Sequence, residues 1–276
     1  MATINENTVC IYCFVDDYLK ATKLKEPRQR RMSDSQIITS ALLACAHFGG
    51  NMVQSLEYLK AHHGFKPIDK SGFNRRLHGL FETILFIFSA LGKTLMELNT
   101  SGDYLIDSFP VAVCRNIRIP RCRILRGEPY RGYNSSKREY FYGFKVMLIT
   151  TSSGIPVQYF LMAGSVHDIT GFQSMNLEIP EGSSLYGDAA FTDYDLEDLY
   201  AECENIRILA DRKSNAKRKD EPWQAFIKKV LRKRVETTFS GITAKFPKHI
   251  HAVTPQGFII KIFLFIFAYT IENVAW

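Results

Sequence analysis

Tyr104-Leu105-Ile106-Asp107-Ser108-Phe109-Pro110-Val111-Ala112-Val113 is the stretch on which the reading of this chain turns. Tyr104-Leu105-Ile106 and Val111-Ala112-Val113 are the aromatic, aliphatic and β-branched runs that strands favour, and an aspartate closes the first of them. Downstream, Tyr140 to Thr150 reads as a longer strand, Ser152-Ser153-Gly154 as a turn and Ile155 to Leu161 as the returning strand of an antiparallel pair. Val166 to Met175 suits a short helix. Ser184-Leu185-Tyr186-Gly187 is a short strand ending at Asp188, Asp193 to Cys203 is helical, and Ile206 to Leu209 is another strand. Pro222 opens a long helix, with Asp220 or Glu221 at its cap. Trp223, Phe226, Ile227, Val230, Leu231, Val235 and Phe239 form that helix's apolar stripe. The order is three strands, helix, strand, helix, strand, helix, which predicts an α/β domain.

Upstream of Gly102 the period is helical. Ser33 and Gln36 fit a capping box that opens a helix carrying Ile37, Ile38, Ala41, Leu42, Leu43 and Cys45. Gly49-Gly50 ends it, Met52, Val53, Leu56 and Leu59 mark a second helix, and a third is expected from about Ser71 to Leu98. Arg75 and Arg76 open the third. Three helices with short breaks suit a DNA-binding helix-turn-helix, and they suit a plain helical bundle equally well. Lys23, Lys25, Arg28, Arg30 and Arg31 form either a DNA-facing arm or a solvated loop. The expected division is an all-helical N-terminal domain over 1–100 and a catalytic domain over 101–276.

Composition narrows the class. Hydrophobic residues at 46% and charged residues at 23% of 276 describe a folded chain with enough material for a sizeable core, not a disordered one. The net charge of +7 suits a polyanionic partner. Six cysteines are scattered. Cys10-x-x-Cys13 lies in an apolar run with no second pair to complete a zinc site, so both are read as core thiols. Scattered thiols and an N-terminus without a leader pattern point to a reducing cytoplasm. The apolar segment Phe258 to Ile271 is interrupted by Lys261, and its uncharged part falls short of the about 20 residues that span a bilayer. It is expected to be a buried helix, with no membrane partner.

Three acids stand at telling places. Asp107 follows one strand, Asp188 ends another, and Glu236 lies late on the final helix beside Arg232-Lys233-Arg234. Strand ends pointing one way bring two aspartates together at a sheet edge, and a helix packed across it can add a glutamate. Converging carboxylates repel, and hard oxygen donors suit Mg²⁺ or Mn²⁺. Two ions about 4 Å apart serve phosphodiester chemistry. Taken singly, each acid has a plain reading: a strand-end turn for Asp107, a helix cap for Asp188, and an i,i+4 partner of Arg232 for Glu236.

These residues carry a resemblance. Leu105-Ile106-Asp107-Ser108-Phe109-Pro110-Val111, Tyr130-Arg131-Gly132-Tyr133 with Lys137-Arg138 and Tyr140-Phe141-Tyr142-Gly143, Tyr186-Gly187-Asp188-Ala189-Ala190, and Arg232 through Ser240 resemble the DDE transposases of bacterial insertion sequences. The similarity is greatest to the insertion-sequence family numbered nine-eight-two; Phe246-Pro247-Lys248 and Ile250 through Thr254 also resemble its C-terminal part. The resemblance implies an RNase H-like mixed five-stranded sheet flanked by helices. It places Asp107 on the first strand, Asp188 after the fourth and Glu236 on a helix after the fifth. It implies catalysis and metal binding by Asp107, Asp188 and Glu236, two Mg²⁺ ions that Mn²⁺ can replace, cleavage of element ends, and 3′-hydroxyl strand transfer. Double-stranded DNA is the implied partner, with a homodimer on DNA and a place at the nucleoid. One departure stands out. A Tyr, Arg, Glu, Lys signature is common around the last acid, and here Lys229 and Thr243 replace its tyrosine and lysine, with Lys245 or Lys248 as substitutes.

Between Arg115 and Lys145, nine basic residues face two acids, and Tyr130, Tyr133, Tyr140 and Tyr142 interleave. Such a mixture clamps phosphates and stacks on unpaired bases, or forms a charged loop beside an aromatic strand face. The expected DNA contacts are Arg75, Arg76, Arg131, Lys137, Arg138, Lys145, Arg232, Lys233 and Arg234. A second basic block from Arg212 to Arg234, including Lys228, flanks Glu236. His167-Asp168 falls where related transposases carry an acid near the site; it orients a ligand, or Asp168 caps a helix. An RNase H-like nuclease that cuts without joining, and a catalytically silent DNA-binding derivative, remain the competing functions.

Overall fold

The fold was described from a computed structural model covering residues 3–22, 30–134 and 137–274. Lys23, Lys25 and Arg28 lie outside the described residues. Helix α1 (Ile4–Ala21) opens on a capping box between Thr3 and Glu6. Helix α2 (Asp34–His47) opens on the box expected at Ser33 and Gln36, with reciprocal bonds of 3.0 and 3.1 Å. Then come α3 (Met52–His63), α4 (Lys70–Gly79) and α5 (Phe81–Leu98). The single helix expected from 71 to 98 is therefore two, bent by 54° at the break.

Strand β1 (Asp103–Arg115) runs unbroken through Pro110. Strand β2 (Arg131–Asn134) is short and was not expected, so the sheet has six strands rather than five. Strands β3 (Glu139–Thr151) and β4 (Pro156–Ala163) form the expected antiparallel pair. Helix α6 (Asp168–Ser174), β5 (Ser184–Gly187), α7 (Tyr194–Cys203), β6 (Arg207–Ala210), α8 (Pro222–Ala244) and α9 (Pro255–Asn273) complete the order.

Strand β3 lies antiparallel to β1, and both β2 and β4 pair with β3. On the other side of β1, β5 and β6 follow in parallel. This is a mixed sheet of RNase H-like order, with β2 added to one edge. Val146, Met147, Leu148 and Ile149 are successive and all buried, so both faces of the sheet centre are covered. Gly143 allows β1 and β3 to approach where their register slips; a Cβ there would meet the Val111 carbonyl oxygen at 2.2 Å.

The chain divides into two compact units, residues 1–90 with 241–276, and residues 91–240. This differs from the expected division at residue 100, because the last segment belongs with the helices. The reason is α9. Phe258, Phe263, Phe265, Phe267 and their neighbours are buried all round it, a surface that needs helices on every side, and α2 is buried in the same way. By length and composition α9 could cross a membrane, yet it is mostly buried. Cys13 is exposed and Cys10 only half-buried, so they are not the core thiols the apolar run suggested; all six cysteines are free.

Candidate active site

The parallel strands set the site. Leu105 pairs with Tyr186 and Gly187 with Ala210. Continuing each register past the strand ends brings Asp107, Asp188 and Asp211 to one level across three neighbouring strands, since parallel neighbours advance together. The Asp211 N–H donates to the Gly187 carbonyl at 3.0 Å, which extends the last ladder. All three acids line one pocket, walled by Ile106 and Gly187 and closed on the helix side by Lys228, Arg232 and Val235.

Each acid has a local anchor. Asp107 Oδ1 accepts from the Ser108 N–H at 2.7 Å. Asp188 Oδ1 accepts from the Ala190 N–H at 2.8 Å and caps a 3-10 turn over Ala189–Phe191, as its plain reading anticipated. Burial pushes the Asp107 carboxyl up to about 7; the Ser108 N–H and Arg232 oppose the rise, and the charges of Asp188 and Asp168 add to it. Burial also raises Asp211, against the pull of Lys228 and Arg232. Lys228 is buried, with its ammonium on the Ala210 carbonyl at 2.7 Å and on Asp220 at 2.6 Å. Asp220, two residues before α8, is thus the ion-pair partner of Lys228.

Glu236 is not among these acids. It is exposed, one residue beyond Val235, and accepts from Arg232 Nε at 3.3 Å. Arg232 also reaches Asp211 at 3.8 Å. Among the described residues no three His, Cys, Asp or Glu side chains converge closely enough to hold a metal ion. Asp107 and Asp188 fit a divalent cation by donor chemistry, two hard carboxylates at one half-buried sheet end. The third donor is turned to its arginine.

The remaining candidates fall into place unevenly. Asp168 accepts from Ser108 Oγ at 2.6 Å and from Lys145 Nζ at 3.1 Å, so it sits behind Asp107; the cap of α6 is His167, which is exposed and makes no side-chain capping bond. Lys145 also bonds the Val166 carbonyl at 2.9 Å and is not a free surface cation. Arg76 is held by Asp34 and the Met32 carbonyl, while Arg75 is exposed. Arg131, Lys137, Arg138, Lys233 and Arg234 are exposed. Lys245 pairs with Glu272. Trp223, Phe226 and Val230 are exposed, so the stripe of α8 packs in part: Val235 is buried, Ile227, Leu231 and Phe239 are half-buried, and Phe239 meets Phe109 at 4.7 Å between ring centroids. Sequence reasoning missed Asp211. Its one signal was an aspartate following an apolar strand, the same pattern that marked Asp107 and Asp188.

Acids gathered beside the parallel strands of an RNase H-like sheet, with basic residues on α8, make up the site. Residues 98–246, more than half of the chain, match the family described as the transposase DDE domain. The chain belongs to the DDE transposases. No curated protein and no solved structure matches it.

Proposed function

We propose that this chain cuts the ends of an insertion sequence and joins the freed 3′-hydroxyl to target DNA, with Asp107, Asp188 and Glu236 as its catalytic acids. The observation that carries this reading is the level placement of Asp107, within β1, and Asp188, just past the end of its parallel neighbour β5. Burial raises the Asp107 carboxyl and the charge of Asp188 adds to it, so a bound cation would stabilise the ionised pair. Hard oxygen donors suit Mg²⁺, with Mn²⁺ as substitute. Two such ions held by these acids would stabilise charge on the attacking and leaving oxygens of a phosphodiester. For Glu236 to join the aspartates, its bond to Arg232 must open; Val235 already places this turn of α8 at the pocket wall.

Arg232, Lys233 and Arg234 then hold the DNA backbone beside the acids, with charge rather than base-specific contact. In this reading the partner is double-stranded DNA at the nucleoid, and a homodimer pairs the two ends.

The test uses DNA ends taken from the inverted repeats that flank the reading frame. Asp107→Asn, Asp188→Asn and Glu236→Gln should each lower cleavage and joining by at least ~100-fold while leaving DNA binding intact. Strand transfer at wild-type rates by these variants would sink the assignment. A pre-cut 3′ end separates a transposase, which joins it, from a nuclease, which does not.

A further inference from the structure

The basic stretch after β1 holds four tyrosines, and the structure separates them. Tyr142 is buried, and Tyr130 packs edge-on against Phe144 at 5.5 Å between centroids. Tyr133 and Tyr140 are 50% and 49% exposed. They are directly opposite each other in the β2–β3 ladder and so leave the same face. Their centroids are 5.0 Å apart and the rings are tilted by 54°. Arg131, two residues before Tyr133 on that face, places its guanidinium carbon 5.0 Å from the Tyr140 centroid. The result is a row of Arg131, Tyr140 and Tyr133.

This row is not what holds the hairpin. The opposite face does that: Gly132 lies so close to Phe141 that a Cβ would meet its ring at 2.4 Å, and Phe141 is buried. Two half-exposed rings therefore stand on a hairpin that does not need them for its core. The surroundings are cationic. Glu139 is paired with Arg115 at 3.2 Å and Glu128 with Arg131 at 3.8 Å. Among the described residues Lys137 and Arg138, at the turn, have no acidic partner.

We propose that Tyr133 and Tyr140 form a stacking platform for an unpaired base of DNA, with Arg131, Lys137 and Arg138 on its phosphates. A duplex hides its base faces within its own stack, whereas an unpaired base offers a π-face to a ring and a phosphate to a cation. The location suits a DNA end. Asp107 pairs with Leu148, eight residues along β3 from Tyr140, or roughly 26 Å at about 3.3 Å per residue. That spans roughly eight nucleotides of one strand at ~3.4 Å each. The proposal rests on the reading of this chain as a DNA-end processing enzyme.

The experiment measures binding of the full chain, in EDTA, to a blunt duplex and to the same duplex with a single-stranded 3′ overhang. Wild type should favour the overhang by about tenfold or more. Tyr133→Leu and Tyr140→Leu should lose that preference and keep blunt-duplex affinity, while Tyr133→Phe and Tyr140→Phe keep both. Equal affinity of wild type for the two DNAs overturns the platform, and so does a phenylalanine variant as weak as its leucine counterpart. If the leucine variants do not fold, photocrosslinking of a 5-iodouracil overhang to wild type decides: attachment at Tyr133 or Tyr140 supports the platform, and attachment elsewhere overturns it. Retained blunt-duplex binding shows that only the platform has failed; absence of all DNA binding by wild type strikes the proposed function itself.

Discussion

Between about pH 4 and pH 7 the folded, metal-free protein keeps a proton on Asp107 that the unfolded chain releases, because burial lifts this carboxyl from 3.8 to about 7. A folded state that binds more protons loses stability as pH rises through that window, and the loss levels off above about 7. Its size is on the order of a few kcal/mol. Asp107→Asn removes the charge and hence the dependence. In EDTA at pH 7.5 the variant should melt several degrees above wild type, with the two converging near pH 4; adding Mg²⁺ should raise wild type alone. A wild-type melting temperature that is flat from pH 4 to 7 contradicts this. Asp107 and Asp188 were legible in the sequence because each follows a short run that reads as a strand, although β1 in fact continues past Asp107 to Arg115. Asp211 was not singled out, since its place depends on where β6 stops relative to β5. The pairing of Glu236 with Arg232 was legible as its plain i,i+4 reading, but sequence does not say when a cation displaces it.

At the scale of elements, the position of α8 decides whether the last acid can reach the first two. Thr238, two residues after Glu236, is buried, and its hydroxyl donates to the Gly154 carbonyl at 2.7 Å. Gly154 turns β3 into β4 with φ of 87°, a conformation glycine takes at little cost. This bond pins the helix to the hairpin turn. Thr238→Val keeps the shape and leaves that carbonyl without its donor, which should cost about 1–3 kcal/mol. Urea unfolding measures the loss, and cleavage should fall further than the lost stability accounts for because Glu236 is carried on the same turn. The long strands and α8 were readable from period and composition. Strand β2 was not, since four residues with a glycine make no pattern. Pro110 falls inside β1 without breaking it: the β5 ladder ends at Leu105, so Pro110 lies on a stretch with pairing on one side only, where proline is tolerated.

For the whole molecule, the helical unit is built from both ends of the chain, residues 1–90 and 241–276, and the sheet unit is continuous. Composition could not reveal this, because an apolar helix does not announce which unit will bury it. A chain ending at residue 240 should therefore lose one unit and keep the other. Hydrogen exchange should show fast amides throughout α1 to α4 and protected amides in β1 and β3; protection retained in α2 would refute the dependence on α9. The same arrangement dictates an order of events during synthesis. The first helices leave the ribosome without the helix that will cover them, and some 150 residues must follow before it emerges. At ~5–20 residues per second that is a delay of roughly 8–30 seconds, long enough for the sheet unit to fold first. During that interval the nascent chain exposes the apolar faces of α2 and its neighbours, which makes them the segment of this protein most dependent on chaperones.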